Sequence, residues 1–407
     1  MKGDKGDQGE QGTQGVQGLK GDKGDTGARG PAGPGGPSSA GSLPGFSISL
    51  VDLGKFGDVY TSITIGTDGL PIISYHDLTE HYLKVAHCED AQCASATVTT
   101  LDSTVSTGHF TSIAIGSDGL PVIAYSKGAL LGTLIVAHCQ NVQCTSAVSR
   151  NIAFLSESPA ITIGADGFPL ISYHDDDGKG LKVAHCQDVY CSSVTLTVVD
   201  DGLHADVGWF SSITIGSDGL PVISYFDQTN GWLKVAHCND ATCGSASLTL
   251  ADPVINISGD FSGTAGVGQY TSITIGADGF PIISYYDMVN SSLKLTRCLN
   301  VQCTQGSNTT VDSAGSVGQY TSIALGADGA PVISYWDQAN EDLKVARCSG
   351  ANCSIIAVDS IGPVGKFSSI TIGVDGFPII SYWDRGNGTL KVVHCSNKQC
   401  VPNHRRR

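Results

Sequence analysis

The sequence predicts an all-β protein, a seven-bladed β-propeller preceded by a short collagen triple-helix segment. Three observations support this prediction. One pattern of strands recurs seven times, the last repeat lacks its final strand, and the residues before the first repeat supply a strand of the missing kind. Repeats of this length, with four short strands each, are typical of propeller blades.

Each repeat begins with two short strands joined by Asp-Gly and continues to a third strand that ends in Cys-x4-Cys. Residues 61–75 of the first repeat and residues 368–382 of the seventh are nearly the same sequence. The Asp-Gly pair provides the positive φ that a tight hairpin requires. Because a cage for calcium needs six or more oxygens, one carboxylate in each turn favours turn formation over calcium binding.

The seventh repeat stops at Cys400 and is followed only by residues 401–407, yet Phe46-Ser-Ile-Ser-Leu-Val-Asp52 reads as the fourth strand of a repeat. We therefore predict that residues 46–52 complete the last blade as a Velcro strand. The domain boundaries follow: residues 1–38 are collagen-like, 39–45 form a flexible linker, 46–400 form the propeller, and 401–407 are a basic tail.

Glycine occupies every third position of residues 3–38. A strict Gly-X-Y pattern predicts a collagen triple helix, because only glycine fits at the crowded axis of three polyproline-II-like chains. Lys-Gly-Asp, which begins at Lys2, Lys5, Lys20 and Lys23, places a lysine within reach of an aspartate on a neighbouring chain. We expect a homotrimer; the alternative is a disordered glycine-rich linker.

The net charge of −15 lies outside residues 1–38, where acidic and basic residues balance. An acidic globular part predicts no nucleic-acid partner and no binding to anionic membranes. No apolar run is long enough to insert into a membrane. The chain opens without the apolar stretch of a signal peptide, whereas its cysteines indicate export. We therefore expect an extracellular or cell-surface protein whose sequence is truncated at the N-terminus.

The cysteines form one Cys-x4-Cys pair in every repeat, with none left over. An even number that follows the repeats predicts disulfides and an oxidising compartment. A His or Arg precedes each first cysteine, but two arginines among them make zinc a poor alternative, and we predict no metal and no cofactor. The predicted disulfides are Cys88–Cys93, Cys139–Cys144, Cys186–Cys191, Cys238–Cys243, Cys298–Cys303, Cys348–Cys353 and Cys395–Cys400.

The end of the second strand carries the candidate ligand-binding residues. In six repeats a tyrosine is followed by a variable ring and an aspartate, a pair suited to stacking on a sugar and accepting hydrogen bonds from its hydroxyls. The alternative for the ring is aromatic packing between blades. The candidates are Trp336 with Asp337, Trp383 with Asp384, Tyr286 with Asp287, Phe226 with Asp227, His76 with Asp77, and His174 with Asp175.

The second repeat differs, because it carries Tyr125-Ser126-Lys127 at this place. It also has Ile135 where the other repeats have a lysine at the start of the third strand. Since the aspartate and the lysine are lost together, we predict an ion pair across the hairpin in the other six repeats, with a ligand role as the alternative.

Two resemblances follow from these motifs. The Gly-X-Y segment resembles those of bacterial or viral collagen-like surface proteins. The repeat Tyr-Thr-Ser-Ile-Thr-Ile-Gly-Ala-Asp-Gly-Phe-Pro-Ile-Ile-Ser-Tyr-Tyr-Asp resembles repeats of uncharacterised secreted bacterial proteins. It is only distantly similar to sialidase-type propellers, because the Ser-x-Asp-x-Gly-x-Thr-Trp frame of their Asp-box is absent; the likeness implies the fold alone.

The polar features repeat around the ring, and no pair of carboxylates stands out as glycosidase chemistry requires. Arg150, Arg297, Arg347 and Arg385 lie at non-equivalent positions and do not form a sialidase-like cluster. We therefore predict a stalked, multivalent glycan-binding protein, a lectin or adhesin, that is not an enzyme. The alternatives are a structural surface protein that the propeller caps and, third, a glycoside hydrolase-like enzyme. Cell-surface or matrix glycans are the expected partners.

Overall fold

The computed structural model describes residues 45–53, 60–104, 106–128, 132–252 and 266–401. The predicted collagen-like segment and nearly all of the linker and the basic tail lie outside these ranges. The described residues form 28 strands and a single short 3-10 helix, η1 (Gly202–His204). The protein is therefore all-β with almost no helix, as predicted.

The first strand, β1 (Phe46–Leu53), precedes seven groups of strands that we call blades 1 to 7. Blades 1 to 3 comprise β2 (Thr61–Ile65), β3 (Pro71–Asp77), β4 (Tyr82–Cys88) and β5 (Ala96–Asp102); β6 (His109–Ile115), β7 (Pro121–Lys127), β8 (Thr133–Cys139) and β9 (Ala147–Phe154); and β10 (Ser156–Ile163), β11 (Pro169–Asp175), β12 (Gly180–Cys186) and β13 (Val194–Asp200).

Blades 4 to 7 follow the same plan. They comprise β14 (Val207–Ile215), β15 (Pro221–Asp227), β16 (Trp232–Cys238) and β17 (Ala246–Asp252); β18 (Val267–Ile275), β19 (Pro281–Asp287), β20 (Ser292–Cys298) and β21 (Gly306–Asp312); β22 (Val317–Leu325), β23 (Pro331–Asp337), β24 (Asp342–Ser349) and β25 (Asn352–Asp359); and β26 (Val364–Ile372), β27 (Pro378–Asp384) and β28 (Thr389–Cys395).

Blades 1 to 6 are four-stranded antiparallel sheets whose strands lie in chain order, and the sheet of blade 7 has the order β26-β27-β28-β1. The first strand of each blade contacts the first strands of its neighbours, and β26 contacts β2, so the seven blades form a ring. In blade 7, β1 pairs antiparallel with β28, with Ile48 opposite Val393. The predicted seven-bladed propeller is confirmed.

The hydrophobic core consists of seven clusters, each shared by adjacent blades. The second strand of a blade is covered on both faces, which explains why its residues are nearly all buried. Between blades 7 and 1, for example, Ile73 and Tyr75 pack with Ile379 and Trp383. The apolar residues on both sides of the second strand are thus used to stack blade on blade.

A buried polar network also joins the blades. The second-strand tyrosine donates a hydrogen bond to an aspartate at the end of the preceding blade, and a third-strand lysine approaches the same carboxylate. Tyr335 Oη, for example, lies 2.8 Å from Asp312 Oδ2, and Lys344 Nζ lies 3.3 Å from it. Equivalent tyrosine–aspartate bonds are Tyr75–Asp52, Tyr125–Asp102, Tyr225–Asp200, Tyr285–Asp252 and Tyr382–Asp359.

The predicted disulfides are confirmed: all seven pairs are bonded within their own blade, and no described cysteine is free. The residue before the first cysteine usually pairs with the aspartate of the Asp-Gly turn in its own blade. His87 Nε2, for example, lies 2.8 Å from Asp68 Oδ2, and Arg347 pairs with Asp328. These histidines therefore brace the turn. Among the described residues, no group of three or more His, Cys, Asp or Glu is arranged to hold a metal ion.

Candidate functional site

The predicted ligand-binding rings lie between blades rather than on an open surface. Phe226, Tyr286, Trp336 and Trp383 are buried, with Trp336 only 6% exposed, and His76 and His174 are fully covered. The ring of one blade contacts the next blade. Lys366 Nζ, for example, lies 4.8 Å from the Trp336 ring. This placement favours the alternative, aromatic packing between blades, because a sugar cannot stack on a covered ring.

The aspartates beside those rings are buried as well, and their partners come from the protein. Asp337 accepts hydrogen bonds from the backbone and side-chain amides of Asn340, and its carboxylate lies 2.7 Å from Lys344 Nζ. Asp227, Asp287 and Asp384 cap the same turn through an asparagine three residues later, whereas Asp77 and Asp175 use backbone amides.

The predicted ion pair across the hairpin is present in five of the six repeats that carry both residues. In blade 4 Lys234 pairs instead with Asp200 of the preceding blade. A direct sugar contact by the twelve candidate residues stays an untested prediction. Their burial and their protein partners leave little of them available for one.

A cavity of about 420 Å³, the central pocket, lies where the first strands of the blades meet. Six aromatic side chains at equivalent positions line it: Tyr60, Phe110, Phe210, Tyr270, Tyr320 and Phe367. They form an arc from Phe210 to Phe110, with successive ring centroids 4.2 to 4.6 Å apart. Sequence reasoning did not select these residues, although every repeat but one carries them before Thr-Ser or Ser-Ser.

The backbone turns each aromatic toward the pocket in a way that costs free energy. Phe210 has a φ of +53° and Tyr270 has the same value, a conformation that bulky residues rarely adopt. Two residues earlier, Gly208 has a φ of +98°, and a Cβ there would lie 2.8 Å from Leu181 Cα. Strain of this kind persists only where the surrounding structure fixes it, and it is concentrated at functional sites.

Blade 3 breaks the arc. Ser158, with a φ of +52°, occupies the seventh equivalent position, between Phe110 and Phe210 in ring order. Its side chain is buried, and its hydroxyl has no hydrogen-bond partner among the described residues. Pro159 also lines the pocket here. The gap in the aromatic arc is therefore a polar notch with an unsatisfied hydroxyl.

The junction between blades 2 and 3 loses two other regular contacts as well. Ala124 and Pro159 replace the hydroxyl pair that elsewhere bonds one blade to the next, as Ser74 and Thr111 do at 2.7 Å. Ala153 stands where other blades place the aspartate that accepts from a tyrosine. Tyr173 consequently has no such carboxylate opposite it. The irregularities of the ring thus concentrate beside the notch.

Next to the notch, where blade 3 meets blade 4, lies a cluster of polar and aromatic side chains. Asp206 Oδ1 accepts a hydrogen bond from Trp209 Nε1 at 2.7 Å and lies 2.8 Å from His174 Nε2. Trp209 stacks on His174, with ring centroids 4.2 Å apart, and also lines the central pocket. Asp206 Oδ2 makes no hydrogen bond to any described residue. A carboxylate oxygen and an oriented indole therefore adjoin the pocket.

Charges in this cluster influence each other. Burial would raise the pKa of Asp206, but the hydrogen bonds from His174 and Trp209 outweigh it and hold the pKa below its usual value. The pKa of Lys179 is raised, mainly by its hydrogen bond to Asp176 and also by the charges of Asp206 and Glu157. Glu157 lies opposite His174 in the sheet and next to Ser158 in the chain, so a second carboxylate is placed near the notch.

Of the predicted residues, only His174 belongs to this cluster. Glu157, Ser158, Asp206 and Trp209 were missed, because the sequence was read for what the repeats share. The departure of blade 3 from the repeat could have identified them, because blade 3 has Ser-Pro-Ala where the other repeats have an aromatic residue followed by Thr-Ser or Ser-Ser.

Another histidine group lies between blades 1 and 2. His76 packs against His109, with ring centroids 4.2 Å apart, and His81 is 6.0 Å from His76. Burial, with the charges of His109 and His81, lowers the pKa of His76 to about 3, and the charge of Asp77 opposes this shift only weakly. Neither ring nitrogen of His76 has a hydrogen-bond partner among the described residues. The surroundings of His76 therefore favour its neutral form.

Comparison with known proteins shows the fold alone. No protein-family model matches the chain, and no curated protein matches it. The chain is similar to many solved structures, among them the following three. The polysaccharide lyase Uly1 has a TM-score of 0.56 at 9% identity, with 88% of this chain and 98% of that chain covered. A protein of unknown function from Dyadobacter fermentans has a TM-score of 0.53 at 10% identity, with 87% and 99% covered. The α-L-arabinofuranosidase Arb93A from Fusarium graminearum, in complex with an iminosugar inhibitor, has a TM-score of 0.51 at 10% identity, with 87% and 98% covered.

These structures correct one prediction. We inferred that the chain is not an enzyme because its polar features repeat around the ring. A lyase and an arabinofuranosidase share the same propeller fold, so a propeller of this kind does not exclude catalysis. The premise that the polar features repeat around the whole ring is also wrong, because the ring is irregular at blade 3.

No helix in the described ranges is long and apolar enough to cross a membrane. Seven disulfides are typical of proteins that fold in an oxidising compartment.

Proposed function

We propose that this protein recognises a glycan in the central pocket, at the notch of blade 3. The observation that carries the proposal is the single interruption of the aromatic lining, where Ser158, whose hydroxyl has no partner among the described residues, lines the same pocket as Trp209. Sugars are bound by aromatic rings, which contact their C–H faces, together with a few polar groups that bond their hydroxyls. The notch supplies both kinds of group.

Further groups at the notch suit the hydroxyls of a sugar. Asp206 holds Trp209 through Oδ1 and leaves Oδ2 to accept a hydrogen bond. A carboxylate whose pKa is lowered stays ionised in neutral solution and accepts strongly. The similar structures support a glycan ligand in general terms, because one is named as a polysaccharide lyase and another as an arabinofuranosidase.

Two architectural features, the closure of the ring and the stalk, are part of the same proposal. We infer that β1 closes the ring as the fourth strand of blade 7, because it pairs with β28 and its Asp52 accepts from Tyr75 of blade 1 at 2.6 Å. We also infer that residues 1–38 form a triple-helical stalk that joins three propellers outside the cell or on its surface. Three linked pockets would gain avidity from weak single contacts.

Substitution at the notch tests the proposal. Ser158→Phe gives blade 3 the residue type that the other blades carry at the same positive φ, so we expect the ring to fold and the notch to close. On a glycan array, the wild-type protein should bind a defined set of glycans, and Ser158→Phe should weaken that binding at least tenfold. Ser193→Phe, which adds an exposed aromatic on another part of blade 3, is the control. Unchanged binding by folded Ser158→Phe would overturn the proposal.

A second candidate function is cleavage of the bound glycan. It is favoured by two carboxylates beside the notch, Glu157 and Asp206, since glycosidases use one carboxyl group as an acid and another as a base or nucleophile. Incubation with the glycans that bind, followed by measurement of new reducing ends, tests it. Activity that Glu157→Gln and Asp206→Asn each abolish would establish an enzyme. Binding without release of any product would leave glycan recognition as the proposed function and would exclude cleavage of these glycans.

A further inference from the structure

A second cavity, of about 470 Å³, lies at the same junction of blades 3 and 4, and we call it the outer pocket. Its walls come from three segments: the turn after β11 with Lys179, the connection between the blades with Asp201, Leu203 and Asp206, and Thr229 of blade 4. Both cavities have the size of small-molecule sites, which are about 300 to 1,000 Å³.

One hydrogen bond links the linings of the two pockets. Asp206 lines the outer pocket, Trp209 lines the central pocket, and the two side chains are joined by the 2.7 Å hydrogen bond. The backbone N–H of Asp206 also donates to Thr229 Oγ1 at 2.7 Å. Asp206 is therefore held by hydrogen bonds at its backbone and at its side chain, and together with Trp209 it forms what we call the boundary of the two pockets.

The outer pocket has an apolar contact surface of its own. Leu203 is 81% exposed, and its φ of +44° and ψ of +49° place it in the left-handed region that favours glycine. A large apolar side chain that is both exposed and strained gains nothing for folding. Such strain is typical of ligand sites, and an apolar side chain over a polar floor suits the C–H face of a sugar.

We propose that the ligand is an oligosaccharide chain of at least two units, with one unit in the central pocket and another in the outer pocket, and that the boundary formed by Asp206 and Trp209 lies beneath the linkage. This inference rests on the proposed function. A single sugar would use only one cavity, whereas a chain contacts both and gains affinity from each.

The charges around the outer pocket indicate the class of sugar. The negative charges exceed the positive ones: the carboxylates are those of Asp176, Asp201 and Asp206, and the one ammonium group is that of Lys179, which is already paired with Asp176. A uronic acid or a sulfated sugar would bring its negative charge toward these carboxylates, and like charges close together are unfavourable. The preferred units are therefore neutral sugars or amino sugars.

Titration with oligosaccharides of increasing length tests the inference. We would measure calorimetric affinities for gluco-, manno- and chito-oligosaccharides of one, two, three and six units. Affinity should rise at least tenfold between one and three units for the series that binds, and then change little. Oligogalacturonates of the same lengths should bind at least tenfold more weakly, and equal or tighter binding of these acids would overturn the assignment of sugar class.

Leu203→Gly isolates the outer pocket, because glycine accepts the left-handed backbone and removes the side chain. We expect it to abolish the gain with length and to leave the affinity for a single sugar unchanged. Phe154→Ala, which removes another exposed apolar side chain, is the control and should keep the gain. Affinity that does not depend on length, or a gain that survives Leu203→Gly, would overturn the chain-binding inference while glycan recognition stands. If no oligosaccharide binds, both proposals fail.

Discussion

The junction of blades 5 and 6 and the junction of blades 2 and 3 are built from the same repeat but differ in their contacts. At the first, Tyr335 bonds to Asp312, Thr321 bonds to Ser284 at 2.8 Å, and Tyr320 fills its place in the aromatic arc. At the second, Ala153, the Ala124–Pro159 pair and Ser158 replace these groups. Regular junctions hold the ring together, and we propose that the irregular one binds a ligand.

One replacement at the irregular junction, that of the hydroxyl pair by Ala124 and Pro159, involves both partners, and this has an energetic reason. A single buried polar group that loses its partner costs about 1 to 3 kcal/mol, whereas replacing both partners with apolar groups can be nearly neutral. Ala124 and Pro159 follow this rule. Ser158 does not, since its hydroxyl is buried without a protein partner. That exception is why we assign it to a ligand.

The largest expected effect comes from removing the strand that we propose closes the ring. Deletion of residues 46–53 would expose the edge of β28 and remove the partner of Tyr75, so we expect aggregation or complete loss of cooperative melting. Deletion of residues 1–38 is the control and should leave the melting temperature of the propeller unchanged. Calorimetry that gives the same melting temperature for both deletions would refute closure by β1.

Breaking a regular junction should have the next largest effect. Asp312→Ala leaves the buried Tyr335 hydroxyl without its acceptor and removes one of the two carboxylates beside Lys344. We expect a loss of about 2 to 3 kcal/mol in the free energy of unfolding. Tyr173→Phe, at the irregular junction, should cost far less, because Ala153 stands in place of the aspartate. Equal losses in urea unfolding would show that the tyrosine–aspartate bond does not distinguish the two junctions.

Acid should weaken the junction of blades 1 and 2 through His76. Its pKa falls from 6.5 to about 3 on folding, so its contribution to stability is complete above pH 6.5 and is lost as the pH falls from 6.5 toward 3. One such group changes stability by about 1.4 kcal/mol per pH unit. His76→Phe, which copies Phe226 of blade 4, should be more stable than the wild type at pH 4.5 by about 3 kcal/mol, relative to their difference at pH 7.5.

The control for this measurement is His204→Ala, which removes a histidine from the connection of blades 3 and 4. The stability of that variant should follow the pH dependence of the wild type. If His76→Phe and the wild type lose stability in parallel between pH 7.5 and 4.5, His76 is not the group that titrates.

The smallest effect should come from repairing the irregular junction. Ala153→Asp restores a carboxylate opposite Tyr173, and we expect a gain of about 1 kcal/mol in the free energy of unfolding. The gain should disappear in a Tyr173→Phe background, which removes the donor. A gain that persists there would mean that the new charge acts by another route than the tyrosine–aspartate bond.

The sequence alone determined the elements of this protein. The spacing of Asp-Gly, the second-strand tyrosine and Cys-x4-Cys defines strands and turns. It can do so because the effect of these residues on the backbone is limited to a few neighbouring positions. The seven disulfides and most of the ion pairs across the hairpin followed from the same local spacing. The repeat number then required a ring, since each blade buries both faces of its second strand.

Only the tertiary structure decided which residues form the candidate site. The rings of Trp336 and Trp383 are adjacent in sequence to exposed turns, yet the neighbouring blade covers them, and coverage by a neighbour depends on blade packing rather than on local pattern. Ser158, Trp209 and Asp206 come from two blades and meet only when the ring is formed. The candidate site consists of residues that depart from the repeat, and it lies where two repeats contact each other. Such contacts are fixed by the packing of whole blades.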